Sequence, residues 1–353
     1  MQDFFDFSRQ QLQGLCSERF SVPILHADTL FREAYKAFLS HPWQASQLPK
    51  KLQETMSVEF STEAVRADQE RLSRYDHSVK FLAKLGDGEL VETVLMPERG
   101  RVTVCISSQV GCAQACTFCY TGRMGLKRNL SAGEIVGQVM MANSWIRQHP
   151  GWLSKLGYPE GTLITNVVFM GMGEPLDNVE NVSRSLDILN DPLGLNLSLR
   201  RISVSTAGHL DGIKEILRLQ PKVTLALSLH ASTERERSQL MPINRKWPIT
   251  EVLAFLKKQY AGTKKSILIQ YTVIHGVNDS LEHAARLVEL LRGLPIKLNL
   301  IPLNDVEPTR FTAPDPARLE AFRDFVHQNQ VRVMIRYSKG QDIGAACGQL
   351  VVQ

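Results

Sequence analysis

An open, partial β/α barrel of six units, with a small helical accessory domain in front of it, is the fold that this 353-residue chain predicts. Three observations carry that expectation. Strand and helix patterns alternate from residue 101 onward, as in parallel-sheet proteins. The strand–helix units number six, too few for an ordinary closed barrel of eight. Ahead of them, residues 1–55 place apolar side chains at helical spacing.

In chain order, Ser8 and Gln11 form a capping box before Leu12 and Leu15. A second helix is expected where Leu30, Phe31, Tyr35, Phe38 and Leu39 share a face, most simply a core face. Residues 78–96 read as a β-hairpin about Gly86-Asp87-Gly88. Glu92 lies on its second strand with Leu90, Val94 and Met96. An acid among apolar neighbours suits proton transfer; a solvated carboxylate on an edge strand is the other reading.

Barrel strands are expected over 102–107, 165–170, 201–205, 223–229, 267–273 and 297–301. Helices are expected over 131–148, 179–189, 211–219, 250–259 and 280–292, the first opened by a Ser131/Glu134 capping box. A further helix at 315–328 and strand at 331–336 precede a Gly-rich tail. The expected units are therefore a helical domain at 1–75, a hairpin extension at 76–100, the barrel at 101–305 and a C-terminal extension at 306–353.

Composition sets outer bounds. Hydrophobic content of 43% and charged content of 22% are ordinary for a soluble globular protein. A net charge of +5 permits a nucleic-acid partner without arguing for one. The N-terminus has no basic region followed by an apolar run, and no stretch reaches the ~18 apolar residues of a membrane helix. Clustered cysteines without a secretion signal read as cytoplasmic metal or redox chemistry.

Four of the six cysteines fall between Cys105 and Cys119, and Cys112, Cys116 and Cys119 follow the spacing C-x3-C-x2-C. Three thiolates on one short loop can wrap a metal centre. A closed zinc site wants a fourth ligand close by, and none follows. Three ligands suggest a four-iron cluster with one iron open to an exogenous group; a structural zinc loop is the alternative.

Parallel α/β folds put their chemistry at the carboxyl ends of strands. The cysteine loop follows the first barrel strand, and Gly171-Met172-Gly173-Glu174-Pro175 follows the second. Glu174 could accept hydrogen bonds from an ammonium group. Ser205 ends the third strand, Ser228-Leu229-His230 the fourth, and Asn304 follows the sixth. Singly these read as a helix cap, a satisfied buried histidine and a turn residue; together they could surround one polar ligand. Cys347, in the small-residue string Ala-Ala-Cys-Gly, leaves room for another molecule to approach its sulfur.

With these strings in view, the chain resembles the RlmN/Cfr family of radical S-adenosylmethionine (SAM) RNA methyltransferases from about residue 92 to 350. The pairing of Cys105 with Ala-Cys-Gly-Gln-Leu is more specific than the cluster motif. The resemblance implies a partial barrel of the radical-SAM type, with one 4Fe-4S cluster on Cys112, Cys116 and Cys119. It implies SAM contacts from Gly173, Glu174, Ser205, Ser228, Leu229, His230 and Asn304, and two SAM molecules per turnover. Glu92 matches the proton acceptor, Cys347 the methyl carrier and Cys105 the cysteine that resolves the covalent intermediate. One SAM would methylate Cys347; a second, reductively cleaved, would give a radical that takes hydrogen from the S-methyl group before carbon–carbon bond formation. The implied substrate is carbon 2 of an adenosine in 23S ribosomal RNA, with transfer RNA as a second substrate and carbon 8 as the alternative position. An unidentified electron donor is also implied. A zinc-stabilised RNA-binding protein using Cys347 as fourth ligand is the rival from another class.

Overall fold

The computed structural model describes residues 1–98, 100–304 and 311–350. At its centre is an open ten-stranded sheet whose strands lie in chain order from one edge to the other. They are β1 (Val65–Leu72), β2 (Val79–Leu85), β3 (Leu90–Glu98), β4 (Arg101–Ile106) and β5 (Asn166–Phe169), then β6 (Ile202–Thr206), β7 (Thr224–Ser228), β8 (Ile267–Val273), β9 (Ile296–Pro302) and β10 (Val333–Ile335). β1 to β4 pair antiparallel. From β4 to β10 every pairing is parallel.

Each parallel step is a β/α unit, with helices such as Ala132–Gln148, Val179–Asn190 and Leu281–Leu291 between strands. Val204, Leu225, Leu227, Ile269 and Leu300 are buried in the core that sheet and helices share. Full burial of such a side chain contributes roughly 1.5–3 kcal/mol. Both expected capping boxes form, at Ser8/Gln11 and Ser131/Glu134.

The N-terminal unit packs outside the barrel. Phe4, Phe31 and Tyr35 are buried, and Asp6 accepts a 2.6 Å hydrogen bond from Gly133 N–H at the start of the helix Ala132–Gln148. Its helix Leu25–Tyr35 stops short of Phe38 and Leu39. Phe38 adopts a left-handed φ of 58° and Leu39 is exposed, so neither extends the helical face expected for them.

β1 falls within the segment expected to be helical. Only its first residue, Val65, is buried, so the charged remainder carries no alternating signal; charge is a common protection for an edge strand. β2 and β3 are the expected hairpin, but β4 covers the far side of β3, so Glu92 does not sit on an edge strand. A small ribbon, Gln109–Cys112 against Gly125–Asn129, brackets the cysteine loop where the sequence pattern predicts no strand. The expected boundary at 305 and 306 lies outside the described residues. Among the described residues no helix is long and apolar enough to cross a membrane.

Candidate active site

The carboxyl ends of the parallel strands open on one cavity. Every candidate residue except Glu92 and Leu229 lines it: Cys105, Cys112, Cys116, Cys119, Gly173, Glu174, Ser205, Ser228, His230, Asn304 and Cys347. Leu229 instead packs fully into the core between two cavity-lining neighbours.

The cysteine loop leaves the small ribbon at Cys112 and returns through Tyr120. Ala115 takes a left-handed φ of 51° between the first two cysteines, and Gln114 N–H points to Cys112 Sγ at 3.5 Å. Thr117 N–H donates to Leu240 O at 3.0 Å, tying the loop to the helix Glu234–Leu240. Burial pushes the Cys112 thiol up to about 12, with Cys119 and nearby carboxylates adding to it. Burial likewise raises Cys116 and Cys119, and the Cys116 thiol feels both others. Ligation would therefore have to displace protons and bring compensating positive charge.

Among the described residues, no three His, Cys, Asp or Glu side chains converge on a single-ion site. Three sulfur donors on one loop, sharing a cavity, are the donor set of an iron–sulfur cluster, which spreads its ligands over separate irons. The residues fit that group.

Glu174 faces the same cavity. It is buried, and it accepts hydrogen bonds from Ala207 N–H at 2.7 Å and Leu176 N–H at 3.1 Å. Burial outweighs these bonds and lifts its carboxyl to about 7. Such a group gains from an ammonium partner. Gly173 has a φ of 102°, and a Cβ there would meet Gln109 at 2.6 Å, so glycine alone lets this turn lie against the ribbon.

Ser205 and Ser228 Oγ atoms lie 3.5 Å apart. His230 has a φ of 57°, and its Nδ1 accepts from Thr272 N–H at 2.9 Å. Burial, then the nearby Arg237 charge, lowers its pKa to about 3, so it stays neutral while the Phe118 ring packs edge-on against it at 5.0 Å. Asn304 serves the tail: its amide donates to Cys347 O and Ser338 Oγ, both at 2.9 Å.

Cys105 on β4 lies opposite Val94 and Val168, which also line the cavity. Burial pushes its thiol up to about 12, and proximity of Cys347 adds to the rise, while Arg336 works against it. Both thiols are free, and that of Cys347 is exposed. Glu92 is buried on the face of β3 that Val94 and Met96 present to the cavity, one step beyond them, and pairs with Lys80 at 2.6 Å.

Arg237 is a structural residue of the site that the sequence does not single out. Fully buried, it donates to the carbonyls of Ala207, Ser228 and Leu229 and to Asn244 Oδ1, fastening the ends of β6 and β7. Its setting, Glu-Arg-Glu-Arg, looks like a solvated helix face, and no sequence signal separates it from Arg235. Arg336, Tyr337 and Lys339 stand at the cavity mouth; in the sequence Arg336 and Lys339 are basic residues that could meet phosphates or be ordinary surface charge, and Tyr337 carries no signal.

Residues 161–288 match the model of the Radical SAM superfamily, a span that begins after the cysteine loop. A dual-specificity RNA methyltransferase RlmN from Campylobacter lari is 38% identical, over 99% of this chain and 97% of its own length. Its counterpart from Geotalea uraniireducens is 40% identical over 99% and 96%. The crystal structure of a radical SAM methyltransferase from Sphaerobacter thermophilus superposes with a TM-score of 0.91 at 38% identity, covering 99% of both chains. With the cysteine loop and the strand-end residues gathered at one cavity, these likenesses over the full length identify the chain as a member of the RlmN family of radical-SAM RNA methyltransferases.

Proposed function

We propose that this enzyme methylates carbon 2 of an adenosine in 23S ribosomal RNA, and of transfer RNA as a second substrate, through a methyl group carried on Cys347. The observation that carries the reading is that two thiols, Cys105 from β4 and Cys347 from the tail, line the cavity that also holds the three-cysteine loop, near enough for each to feel the other's charge. Neither thiol is needed for cluster or SAM binding. The dual-specificity name of the relatives supports two classes of RNA.

Cys112, Cys116 and Cys119 would hold one four-iron cluster, and Glu174 would orient SAM through its ammonium group, with Ser205, Ser228 and His230 around the rest. When bound, these groups supply an electron, the methyl group and a hydrogen-abstracting radical, with two SAM molecules used per turnover. The chain's own residues do the rest. Cys347 holds the methyl group by its sulfur and then tethers the base. Glu92 accepts the ring proton from adenine carbon 2 as the tethered base, left with an unpaired electron by carbon–carbon bond formation, gives that electron up, for which the cluster would be the acceptor. Cys105, as thiolate, attacks the sulfur of Cys347; the sulfur–carbon bond breaks, its electron pair leaves on carbon and is protonated to the methyl product. The disulfide left behind needs an external thiol reductant before the next cycle, and the cluster needs an external electron donor.

Mass spectrometry of ribosomal and transfer RNA from cells lacking the protein tests the assignment. Loss of 2-methyladenosine from both is expected; loss of an 8-methyladenosine instead would overturn the ring position. Protein isolated with its cluster intact should carry one added methyl on the Cys347 peptide, and an unmodified peptide would reject the carrier.

A further inference from the structure

We propose that Lys80 is a positioning residue that couples the proton acceptor to the methyl-carrying tail, its ammonium group bridging Glu92 and the tail backbone. The inference rests on the roles proposed above for Glu92 and Cys347.

Lys80 stands on β2 directly opposite Val94 of β3, so Glu92 is its diagonal neighbour on the same face. Its Nζ lies 2.6 Å from Glu92 Oε1 and donates to Gly344 O at 3.0 Å. Both side chains are nearly covered, at 11% and 2% exposure. An ammonium group carries three donors, and a buried one has to spend them on partners. Here one goes to the acid and another to a carbonyl three residues before Cys347.

The same part of the chain holds the tail twice more. Asp76 accepts from Gly340 N–H at 2.8 Å, and Arg74 N–H donates to Asp342 at 3.1 Å. On the opposite side Tyr120 N–H, next to the cluster loop, donates to Gly348 O at 2.9 Å. The segment bearing Cys347 is thus strung between residues 74–80 and the cysteine loop. Of the three links on the first side, Lys80 is the one that also touches Glu92.

A docked tail therefore holds the lysine in place against Glu92, and the lysine holds the tail. Replacing it withdraws a counter-charge from a buried carboxylate, and protonation of Glu92 relieves that cost. A protonated carboxyl cannot accept the ring proton. The same replacement frees the tail at Gly344.

The test compares Lys80→Met, Lys80→Arg and Glu92→Gln in the full-length, cluster-loaded enzyme with an RNA stem-loop substrate. Two readouts are used: hydrogen exchange of residues 340–347, and the RNA–protein adduct surviving on denaturing gels. Lys80→Met is expected to keep its iron, to exchange its tail about tenfold faster, and to accumulate adduct. Glu92→Gln is expected to accumulate adduct with the tail still protected. Lys80→Arg, which keeps the charge, should restore both readouts. Wild-type tail exchange in Lys80→Met, or wild-type release of product without adduct, would overturn the coupling. Failure of the underlying reading looks different: wild-type protein would then carry no methyl on Cys347 and form no adduct in any variant.

Discussion

Glu174 is a buried carboxylate that, among the described residues, makes no ion pair. Its folded-state value of about 7 lies above an unfolded value near 4.5. Its contribution to stability is thus present in full below about 4.5 and is lost as pH rises through about 7. The gap between the two values corresponds to ~3 kcal/mol. Wild-type apoprotein should therefore lose about that much stability relative to Glu174→Gln between about pH 4 and about pH 8. Denaturant titrations at the two pH values check this, and a pH-independent difference would mean that burial does not govern the acid. Added SAM should narrow the gap at the higher pH, if its ammonium group pairs with Glu174 as proposed. Cys105 supplies a second test at this scale. Cys105→Ala should keep iron and SAM cleavage yet accumulate RNA attached at Cys347, visible on denaturing gels and absent from the double variant with Cys347→Ala. Repeated turnover without adduct would end the resolving role. The sulfur residues stand out in the sequence because cysteines recurring at short spacing signal metal or redox chemistry. Lys80 and Arg237 do not: Lys80 alternates with Val79 and Phe81 as a solvent-facing strand residue would, Arg237 sits among charged and polar neighbours, and their partners, Gly344 and Ala207, arrive from elsewhere in the chain.

The tail and the cysteine loop form a second level of organisation. Tyr120 and Thr121 follow the last cysteine directly, and they bind Gly348 O and Leu350 O at 2.9 and 2.8 Å. Loss of the cluster should consequently loosen the tail that bears Cys347. Cys112→Ala, Cys116→Ala or Cys119→Ala should each abolish reductive SAM cleavage. Each should also speed hydrogen exchange over 346–350 by about tenfold, since local opening is governed by such contacts. A protected tail in a cluster-free variant would show that the loop keeps its shape without the metal. Elements of this kind are only half legible in the sequence. Parallel strands announce themselves as apolar runs, and capping boxes mark the start of Ala132–Gln148. The ribbon Gln109–Cys112 with Gly125–Asn129 and the edge strand β1 have no such pattern, because few of the side chains of Gly125–Asn129 and β1 enter the core.

At the scale of the whole molecule, a sheet laid down in chain order would leave the two ends of the enzyme far apart in sequence and in space. The tail offsets this by passing back across the strand ends to the antiparallel extension. That return path leaves Arg336, Tyr337 and Lys339 at the cavity mouth, with Tyr337 62% exposed. The N-terminal unit, whose residues line no part of the cavity, packs on the outer helices instead. On the function proposed above, an adenine reaching Cys347 has to leave its stack, and an exposed ring beside two cations suits a splayed base with phosphates on either side. Tyr337→Ala should therefore weaken binding of an RNA stem-loop by ~1–3 kcal/mol, the worth of one base–aromatic stack. The double variant Arg336→Gln with Lys339→Gln should flatten the slope of log affinity against log salt by about 1 to 2, roughly one unit for each phosphate left without its cation. SAM cleavage in the absence of RNA should stay within about twofold of wild type in Tyr337→Ala, because the ring lies at the mouth and not among the sulfur ligands. Unchanged affinity and salt slope in these variants would place the RNA on another face and leave the tail path as a device for positioning Cys347 alone.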